Sequence, residues 1–369
     1  MPFVASLAIG DHDLRVAVIG LGGVAERIHL PACRSITGLE VVAAAEPDDE
    51  RRRRVGERFS IPATYPTAEE MLAAARPDLV IVGTPPDTHC DLVVAALEHG
   101  AHVLCEKPFA RTVEEADRMI DVADARGLGL RVNTQYRFMR IYRETQQRIG
   151  AGEFGEPYFL QCWQQMYHPP AFETNWRCRL RRSTLFEFGT HALDLMAFLF
   201  ADLPDEISAH AGDAGQGFDA DVLVQATLRF PRGRLATIAF NRVSHAAERY
   251  LEMRLDCEKA SLRLSLGGVA RASLEWSRQR RLPALRWNLV RGGVARAERA
   301  GTSRVIASES RPAFAPATAG LLGNFVEHLR AGTATNEEAC FSREILATAL
   351  AGYESAESGQ WVRLRRRER

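Results

Sequence analysis

Residues 14–133 alternate short apolar runs with amphipathic stretches, and no other feature constrains the fold of this chain as strongly. The amphipathic stretches include residues 24–35, 88–99 and 112–126, where apolar side chains recur at helical spacing. The apolar runs predict strands at 14–20, 40–45, 79–83, 102–105 and 130–133. Strands that alternate with helices in this way predict an α/β domain built on a doubly wound parallel sheet.

The pattern changes near residue 137. A helical stretch at 138–149 leads into strand-like runs joined by short turns, which favour a mainly antiparallel, open sheet in an α+β domain. The runs lie at 158–166, 206–211, 222–230, 235–241 and 250–257, and helical stretches follow at 319–329 and 342–358. Residues 278–316 are rich in Arg and Ala and are interpreted as including a loop. We therefore expect a tail at 1–12, an α/β domain at 13–136 and an α+β domain at 137–369.

The turn after the first strand, residues 20–25, fits the pattern G-x-G-x-x-G/A, which lets backbone and helix N-terminus approach a dinucleotide pyrophosphate. Its motif residues are Gly20, Gly22, Gly23, Val24 and Ala25. Glu46, at the end of the second strand, would accept hydrogen bonds from ribose hydroxyls and repel a 2′-phosphate. The arginines at 51–54 could hold such a phosphate, but they follow acidic residues in what is interpreted as an exposed helix. The expected cofactor is NAD, with NADP less favoured.

Only two of the 47 basic residues are lysines, and one of them, Lys107, follows the predicted strand at 102–105. Arginine keeps its proton at every working pH, whereas an amine can release it. Lys107 is therefore a candidate proton donor and acceptor, although with so few lysines its position could also be chance.

Further loops with polar residues follow other predicted strands of the parallel sheet. Loops at the carboxyl ends of parallel strands share one edge, and ligands bind there in open α/β sheets. This edge is the predicted working face of the domain. The candidate cofactor-binding residues in these loops are Thr84, Pro85, Pro86, His89, Glu106, Lys107, Asn133 and Gln135.

In the second domain Glu187 and His191 are four residues apart and would share one face of a helix. A carboxylate beside an imidazole can fix its tautomer and raise its basicity. Two structural interpretations stay open, because Thr184-x-x-Glu187 also fits a capping box and a histidine on an apolar helix is often a core residue. A Glu/His pair without a further cluster of ligands does not predict a metal site.

Arg137, Trp176 and Arg177 are candidate substrate-binding residues, together with His191. Aromatic faces suit sugar rings, and guanidinium groups suit carboxylates or phosphates. The structural alternatives are a core tryptophan and a solvated fringe of arginines.

Over nearly its whole length the chain resembles the Gfo/Idh/MocA oxidoreductases, the family of glucose–fructose oxidoreductase and inositol dehydrogenase. The resemblance is densest in residues 15–138, in GLGGVAERIHLPA, VIVGTPPDTHCDLVVAALEHGAHVLCEKPFARTVEEA and VNTQYRF. The combination of TPP-x-x-H with EKP is specific. The pieces NWR at 175–177, Phe188-Gly189-x-His191-x-x-Asp194, and ESGQWVRL near residue 360 also resemble the family.

The resemblance implies a Rossmann domain and hydride transfer between a nicotinamide and a secondary alcohol or ketone of a sugar, cyclitol or derivative. It implies that Lys107 relays a proton to or from the reacting hydroxyl and that His191 lies beside the reacting carbon. It also implies that Glu106 and His89 line the cofactor and that the lysine–proline bond of the EKP motif is cis. Glu187 stands where the family usually has aspartate, so its carboxylate lies one methylene further out.

Two other functions stay open. The same residues would serve an enzyme that keeps NAD tightly bound and recycles it within each turnover, for net transfer, epimerisation or glycoside cleavage. A non-catalytic protein that responds to the dinucleotide is the third interpretation, and the intact Lys107 and His191 argue against it.

Net charge, hydropathy and cysteine content limit the expected binding partners and the expected compartment. The 47 basic and 47 acidic residues give a formal net charge of zero, so nothing directs the protein to nucleic acid. No apolar run is long enough to cross a bilayer, and no basic leader is seen at the start. Seven scattered cysteines without a C-x-x-C pair favour a reducing compartment, and hence the cytoplasm. The open sheet face predicts a homo-oligomer, either a dimer or a tetramer.

Overall fold

The computed structural model describes residues 13–173, 176–246, 248–267, 271–275, 284–288, 292–309 and 313–367. These residues form two compact units, which are described separately. Unit 1 comprises residues 13–138, 314–350 and 365–367, and unit 2 comprises residues 139–313 and 351–364, within the described ranges. The expected tail at 1–12 lies outside the described residues, as does Asn175 of the NWR match.

The strands of unit 1 are β1 (Leu14–Ile19), β2 (Leu39–Ala45), β3 (Ala63–Tyr65), β4 (Leu79–Val82), β5 (His102–Cys105) and β6 (Leu130–Val132). These described strands form one parallel sheet in the order β3-β2-β1-β4-β5-β6. The strand order reverses between β1 and β4, as in a doubly wound dinucleotide-binding sheet, so the predicted fold class is confirmed. The short β3 has no predicted counterpart, because three residues are too few to show a period.

Some helices of unit 1 begin where the sequence provides a side-chain cap. Asp48, Thr67 and Thr112 each accept a hydrogen bond from the backbone N–H three residues further on, at 2.8, 3.2 and 3.2 Å. The α-helices of the described residues are α1 (Leu30–Arg34), α2 (Asp49–Arg58), α3 (Ala68–Ala75), α4 (His89–Glu98), α5 (Val113–Arg126), α6 (Arg140–Gly150), α7 (Gly189–Phe200), α8 (Phe314–Arg330) and α9 (Glu337–Ser358).

Helix α8 belongs to unit 1, whereas the sequence pattern assigned it to the second domain. Its apolar residues Leu321, Phe325 and Leu329 recur at helical spacing and are buried. They pack in one core cluster with residues of β1 such as Leu14 and Val16. The helical spacing of apolar residues predicts that α8 has a buried face, but it does not predict which of the two sheets that face packs on.

The strands of unit 2 are β7 (Pro157–Gln165), β8 (Glu206–Gly212), β9 (Leu223–Phe230), β10 (Arg234–Asn241), β11 (Arg249–Cys257), β12 (Ser261–Leu266), β13 (Arg271–Glu275), β14 (Ala284–Asn288), β15 (Gly293–Arg299), β16 (Thr302–Glu309) and β17 (Val362–Arg363). The larger described sheet has the order β16-β15-β12-β11-β7-β10-β9-β8-β17. Within it only β7 and β10 pair in parallel, so the predicted mainly antiparallel sheet is confirmed.

The stretch at 278–316, interpreted as including a loop, contains the strands β14, β15 and β16 where the structure describes it. Arg and Ala dominate its composition, and the few β-branched residues, such as Val294 in β15 and Val305 and Ile306 in β16, did not suffice for a strand assignment from the sequence. Along β10 buried and more exposed residues alternate, so one face of the sheet is covered and the other reaches the surface. In the part of the chain that the structure describes, no helix has the length and apolarity needed to cross a membrane.

Candidate active site

The glycine turn lies at the carboxyl end of β1. Gly20 has a φ of +88°, and a Cβ atom there would lie 2.8 Å from Thr84 Cγ2, so the protein itself requires glycine at this position. At Gly22 a Cβ atom would meet no described atom within 4 Å. The glycine at position 22 thus leaves open space beside the turn, as the close approach of a pyrophosphate requires.

Gly23 and Val24 lead from the turn into a helix that starts with the π-helical segment Ala25–His29 and continues as α1. Ala25 is fully buried, which matches the close packing of helix and strand that the motif requires. The predicted pyrophosphate-binding residues are thus assembled as strand, turn and helix N-terminus.

Glu46 directly follows β2 beside this turn and is only 3% exposed. Its Oε2 accepts a hydrogen bond from Leu21 N at 2.9 Å, and its Oε1 accepts one from Asp48 N at 3.1 Å. The Arg51 guanidinium lies 3.3 Å from the same Oε1. Glu46 therefore connects the glycine turn to the start of α2, and an arginine already lies beside the carboxylate that was predicted to select NAD.

The loop after β4 contains Thr84, Pro85 and Pro86, and the fully buried His89 follows at the start of α4. His89 Nε2 lies 2.9 Å from Thr84 O, and Nδ1 lies 3.0 Å from Pro108 O. Each ring nitrogen is therefore within hydrogen-bonding distance of a carbonyl oxygen. The imidazole joins the loop after β4 to the loop after β5.

The loop after β5 carries Glu106, Lys107 and Pro108, and the Lys107–Pro108 peptide bond is cis, as the resemblance implied. The buried Glu106 carboxylate accepts hydrogen bonds from Lys107 N at 3.0 Å, on Oε2, and from Asn133 Nδ2 at 2.6 Å, on Oε1. His29 Nε2 lies 2.9 Å from Oε1. The carboxylate thus fixes the backbone that carries the candidate proton donor.

Electrostatics keep this carboxylate ionised. Burial alone would raise the pKa of Glu106, but His29, Asn133 and the positive charge of Lys107 outweigh burial and lower the pKa to about 2. The carboxylate is therefore charged at every pH at which an amine can exchange a proton, and its hydrogen bond to Lys107 N persists there.

The loop after β6 completes this edge of the sheet. Asn133, fully buried, accepts a hydrogen bond from Thr318 Oγ1 of α8 at 3.3 Å. Gln135 is 4% exposed, and its Oε1 has no hydrogen-bond partner among the described residues. A buried amide oxygen without a partner is available to a ligand that brings a donor.

Arg137, a candidate substrate residue, lies in the short helical turn Gln135–Phe138 of unit 1. A terminal nitrogen of its guanidinium donates to Glu338 Oε2 at 3.0 Å, and the group lies 4.3 Å from the centroid of the Phe341 ring. The side chain is only 10% exposed. These contacts give Arg137 a structural role within unit 1, and a role in substrate binding stays a prediction.

In unit 2 the helix predicted to carry Glu187 and His191 begins as a π-helical turn, Thr184–Phe188, and continues as α7. Glu187 is 3% exposed, and its Oε1 accepts hydrogen bonds from two nitrogens of Arg177 at 2.9 and 2.7 Å. The guanidinium also lies 4.4 Å from the ring centroid of Trp176. The structure therefore pairs a candidate catalytic carboxylate with a candidate substrate residue.

The arrangement at Thr184 differs from the capping-box alternative. Its N–H donates to the Asp221 carboxylate, at 3.0 and 3.2 Å, while Glu187 binds Arg177. His191 is half-buried in α7, and Asp194 of the same helix is buried. The contact between Glu187 and His191 that the spacing suggests stays a prediction.

Two residues of these networks have no sequence-based prediction. His29 follows the glycine turn in the segment that resembles the family, and a histidine among apolar helix residues was the available signal. Asp221 reaches the start of the helix from 37 residues further along the chain. No local sequence pattern predicts a hydrogen-bond partner at such a separation.

The strand order and the glycine turn are those of a dinucleotide-binding Rossmann domain. A sequence profile described as "Oxidoreductase family, NAD-binding Rossmann fold" matches residues 14–134, and one described as the GFO/IDH/MocA C-terminal domain matches residues 142–263. The chain belongs to the Gfo/Idh/MocA family, and the resemblance seen in the sequence is confirmed.

Among curated relatives, an uncharacterized oxidoreductase of Rhizobium meliloti is 32% identical over 226 residues, which are 61% of this chain and 67% of that protein. D-apiose dehydrogenase of Paraburkholderia graminis is 32% identical over 191 residues, which are 51% of this chain and 50% of that enzyme. The matched regions thus span from half to two thirds of these relatives.

Solved structures share the fold. An oxidoreductase from Agrobacterium radiobacter, in complex with NAD+, L-tartaric acid and magnesium, aligns with a TM-score of 0.81. The alignment covers 95% of this chain and 98% of that chain at 19% identity. At this identity the likeness concerns the fold alone.

Proposed function

We propose that the protein is an NAD-dependent dehydrogenase or reductase that acts on a secondary alcohol or ketone of a sugar, cyclitol or derivative. The observation that carries the proposal is the placement of Lys107. Its backbone is held by the buried, ionised Glu106, in a loop at the same sheet edge as the glycine turn. The family and the name of the D-apiose dehydrogenase relative support a sugar-like substrate.

The residues at this edge fit a nicotinamide dinucleotide. Gly22 leaves space for a pyrophosphate, and Gln135 offers an unpaired acceptor. Glu46 directly follows the neighbouring strand, where a ribose is held in this fold. When bound, the nicotinamide accepts or supplies the hydride.

Lys107 is proposed to take the hydroxyl proton in oxidation and to return it in reduction. Glu106 holds the loop in place, because its pKa of about 2 leaves the carboxylate charged at neutral pH. His191 is proposed to share or relay the hydroxyl proton, and Glu187 is proposed to orient the His191 ring. The proposed substrate contacts are Trp176, Arg177 and Arg137.

The test is Lys107→Met, assayed with NAD and a panel of sugars and cyclitols. Turnover is expected to fall by about 10³-fold, because general acid–base catalysis is lost. NAD affinity, measured by calorimetry, should stay within about threefold, since the pyrophosphate and the ribose are proposed to be held mainly by the glycine turn and Glu46. The other lysine supplies a matched control, because Lys259 lies exposed in unit 2 and Lys259→Met should turn over like the wild type.

Lost NAD affinity with unchanged turnover would contradict the proton role of Lys107. Copurified dinucleotide without net NADH release would instead indicate an enzyme that recycles NAD within each turnover. Wild-type protein that binds NAD but turns over no member of the panel would indicate a dinucleotide-responsive protein without catalysis.

For the cofactor we propose NAD over NADP, on the strength of the buried Glu46 carboxylate. The wild type should show a higher kcat/KM with NAD than with NADP. In Glu46→Gln the ratio of these two kcat/KM values should be smaller. A wild-type preference for NADP would reverse the assignment. Arg51, beside Glu46, would then be the residue that holds the 2′-phosphate.

We also propose self-association, because unit 2 leaves large apolar side chains exposed on its strands. Tyr158 is 54% exposed, Leu235 is 39% exposed and Val305 is 52% exposed. Light scattering of the purified protein should give a dimer or tetramer mass, and a monomer at micromolar concentration would contradict the proposal.

The proposed location is the cytoplasm. The seven cysteines are scattered without a C-x-x-C pair, which favours a reducing compartment. Burial raises the pKa of Cys33 and Cys257 to about 12, which keeps these thiols unreactive. Fractionation of cells that produce the protein should recover it there.

A further inference from the structure

The helix of unit 2 that carries Glu187 and His191 begins with backbone N–H groups that have no partner within the helix. These groups are buried, so an acceptor must come from elsewhere in the protein. They belong to Ser183, Thr184, Leu185 and Phe186, which are 3%, 0%, 1% and 6% exposed.

Asp221 provides the first acceptors. Its carboxylate accepts hydrogen bonds from Ser183 N and from Thr184 N, the latter at 3.0 Å on Oδ2. Its backbone carbonyl also accepts the hydroxyl of Thr184 at 2.7 Å. A negative charge at this end of a helix interacts favourably with the helix dipole. Asp221 therefore serves as a cap that comes from a distant part of the chain.

Tyr353 of α9 provides the next acceptor. Its hydroxyl accepts from Leu185 N at 2.9 Å and from Phe186 N at 3.3 Å, and it donates to Asp221 Oδ2 at 3.1 Å. Burial, reinforced by the charge of Asp221, raises the pKa of Tyr353 well above its usual value, so the hydroxyl keeps its proton. The two side chains thus form one hydrogen-bonded cap.

Close packing brings α9 within reach of this turn. A Cβ atom at Gly352 would clash with Leu185 Cδ2 and lie 3.2 Å from Ile207 Cδ1, so a larger residue would force these side chains to shift. Ser355 of α9 accepts a hydrogen bond from an N–H group of β8 at 3.0 Å. The helix that presents Tyr353 is therefore fixed on both sides of the hydroxyl.

We propose that Asp221 and Tyr353 are positioning residues that set the place of Glu187 and His191, a role that rests on the proposed function. Glu187 N–H donates to Ser183 O at 2.8 Å, so the turn that carries this glutamate is tied to the first capped residue. His191 follows four residues later. A change in the cap would move both side chains together.

The test is Tyr353→Phe, which deletes the shared hydroxyl and keeps the ring. Hydrogen–deuterium exchange of residues 183–190 should become about tenfold faster. The kcat should fall by about 10- to 100-fold, because a small misplacement of catalytic groups is costly, while NAD affinity stays at the wild-type value. Tyr142→Phe is the matched control, because the buried Tyr142 hydroxyl of unit 2 has no hydrogen-bond partner among the described residues. It should behave as the wild type in every assay.

Two results would overturn the positioning role. Unchanged exchange in Tyr353→Phe would show that the hydroxyl does not hold these amides. Faster exchange with wild-type kcat and KM would show that the cap is merely structural. Failure of the proposed function looks different, because the wild type itself would then be inactive. In that event the ¹⁵N NMR signals of the His191 ring provide the test. They should shift in Tyr353→Phe and stay unchanged in Tyr142→Phe. Identical His191 signals in the two variants would overturn the inference.

A second variant covers the case in which Tyr353→Phe does not fold, as judged by circular dichroism. Asp221→Asn keeps the shape of the side chain but replaces one carboxylate oxygen by an amide NH₂ group, which cannot accept a hydrogen bond. It should speed exchange at residues 183–190 and lower kcat, and wild-type values of both would overturn the inference.

Discussion

Two buried glutamates, one in each unit, are held in different ways. In unit 1 Glu106 contacts His29 and Asn133, and both partners are completely buried. In unit 2 Glu187 accepts hydrogen bonds from Arg177, whose side chain is 25% exposed. The first carboxylate is therefore part of the interior of its unit, whereas the second is bound by a cation that water can reach.

The comparison indicates that a buried carboxylate can either be required for folding or remain able to exchange its hydrogen-bond partner. His29 and Asn133 are too deeply buried to be hydrated if the Glu106 carboxylate is lost, so its removal must cost folding free energy. The guanidinium beside Glu187 can regain water, so that pair can change partner at a small cost in stability. We therefore expect changes at Glu106 to affect folding and changes at Glu187 to affect activity.

The largest expected effect on stability is that of Glu106→Gln. A pKa lowered from 4.5 to about 2 corresponds to about 3 kcal/mol of stabilisation of the charged form, and the variant should lose an amount of that order in its free energy of unfolding. Glu187→Gln should lose about 1 kcal/mol or less, because Arg177 is partly solvated. Urea denaturation of both variants measures the two losses.

Equal losses in the two variants would contradict the comparison. Activity provides the complementary measurement, since a folded Glu187→Gln protein should show a larger fall in kcat than in stability. A Glu187→Gln variant with wild-type kcat would remove this glutamate from the proton transfer.

The pH dependence of stability tests the comparison further, because unit 1 holds another buried titratable group. His102 Nδ1 accepts a hydrogen bond from Gly129 N at 2.8 Å, and burial lowers the pKa of His102 from 6.5 to about 4, against a smaller opposing effect of Asp78. Folding therefore favours the neutral ring. Its stabilisation is complete above about pH 6.5 and is lost as the pH falls towards 4, by about 3 kcal/mol. Glu106 adds a second loss between pH 4.5 and about 2.

The free energy of unfolding, measured by urea denaturation at several pH values, should fall in these two steps. His102→Gln keeps an acceptor for Gly129 N and should remove the first step only. His99→Gln, at an exposed position of unit 1, should leave both steps as in the wild type. A first step that survives in His102→Gln would place its cause elsewhere in the chain.

The parallel sheet could be predicted from the sequence because each of its signals is local. The apolar run at 102–105 coincides with β5, and the run at 79–83 differs from β4 by one residue. The glycine turn follows β1 in the predicted strand–turn–helix order. The same locality explains why the loops after β4, β5 and β6 could be placed at one edge before any contact between them was known.

The partners of the site residues could not be predicted, because they come from distant parts of the chain. His29 reaches Glu106, and Asp221 reaches Thr184, across separations that no periodicity records. The capping box at Thr184 was a sound local pattern, but Asp221 supplied a competing acceptor and Arg177 a competing donor. Hydrogen bonds to residues distant in sequence thus determined which of the two arrangements at Thr184 and Glu187 forms.

The smallest expected effect is that of Arg177→Lys. Arginine donates to Glu187 through two nitrogens, whereas an ammonium group on a flexible stem cannot reproduce both bonds in that geometry. Because the pair is partly exposed, the free energy of unfolding should fall by less than about 1 kcal/mol. Arg182→Lys is the control, since Arg182 is an exposed partner of Glu357 and should leave stability unchanged. A loss of about 3 kcal/mol in Arg177→Lys would mean that Glu187 is as firmly committed to structure as Glu106.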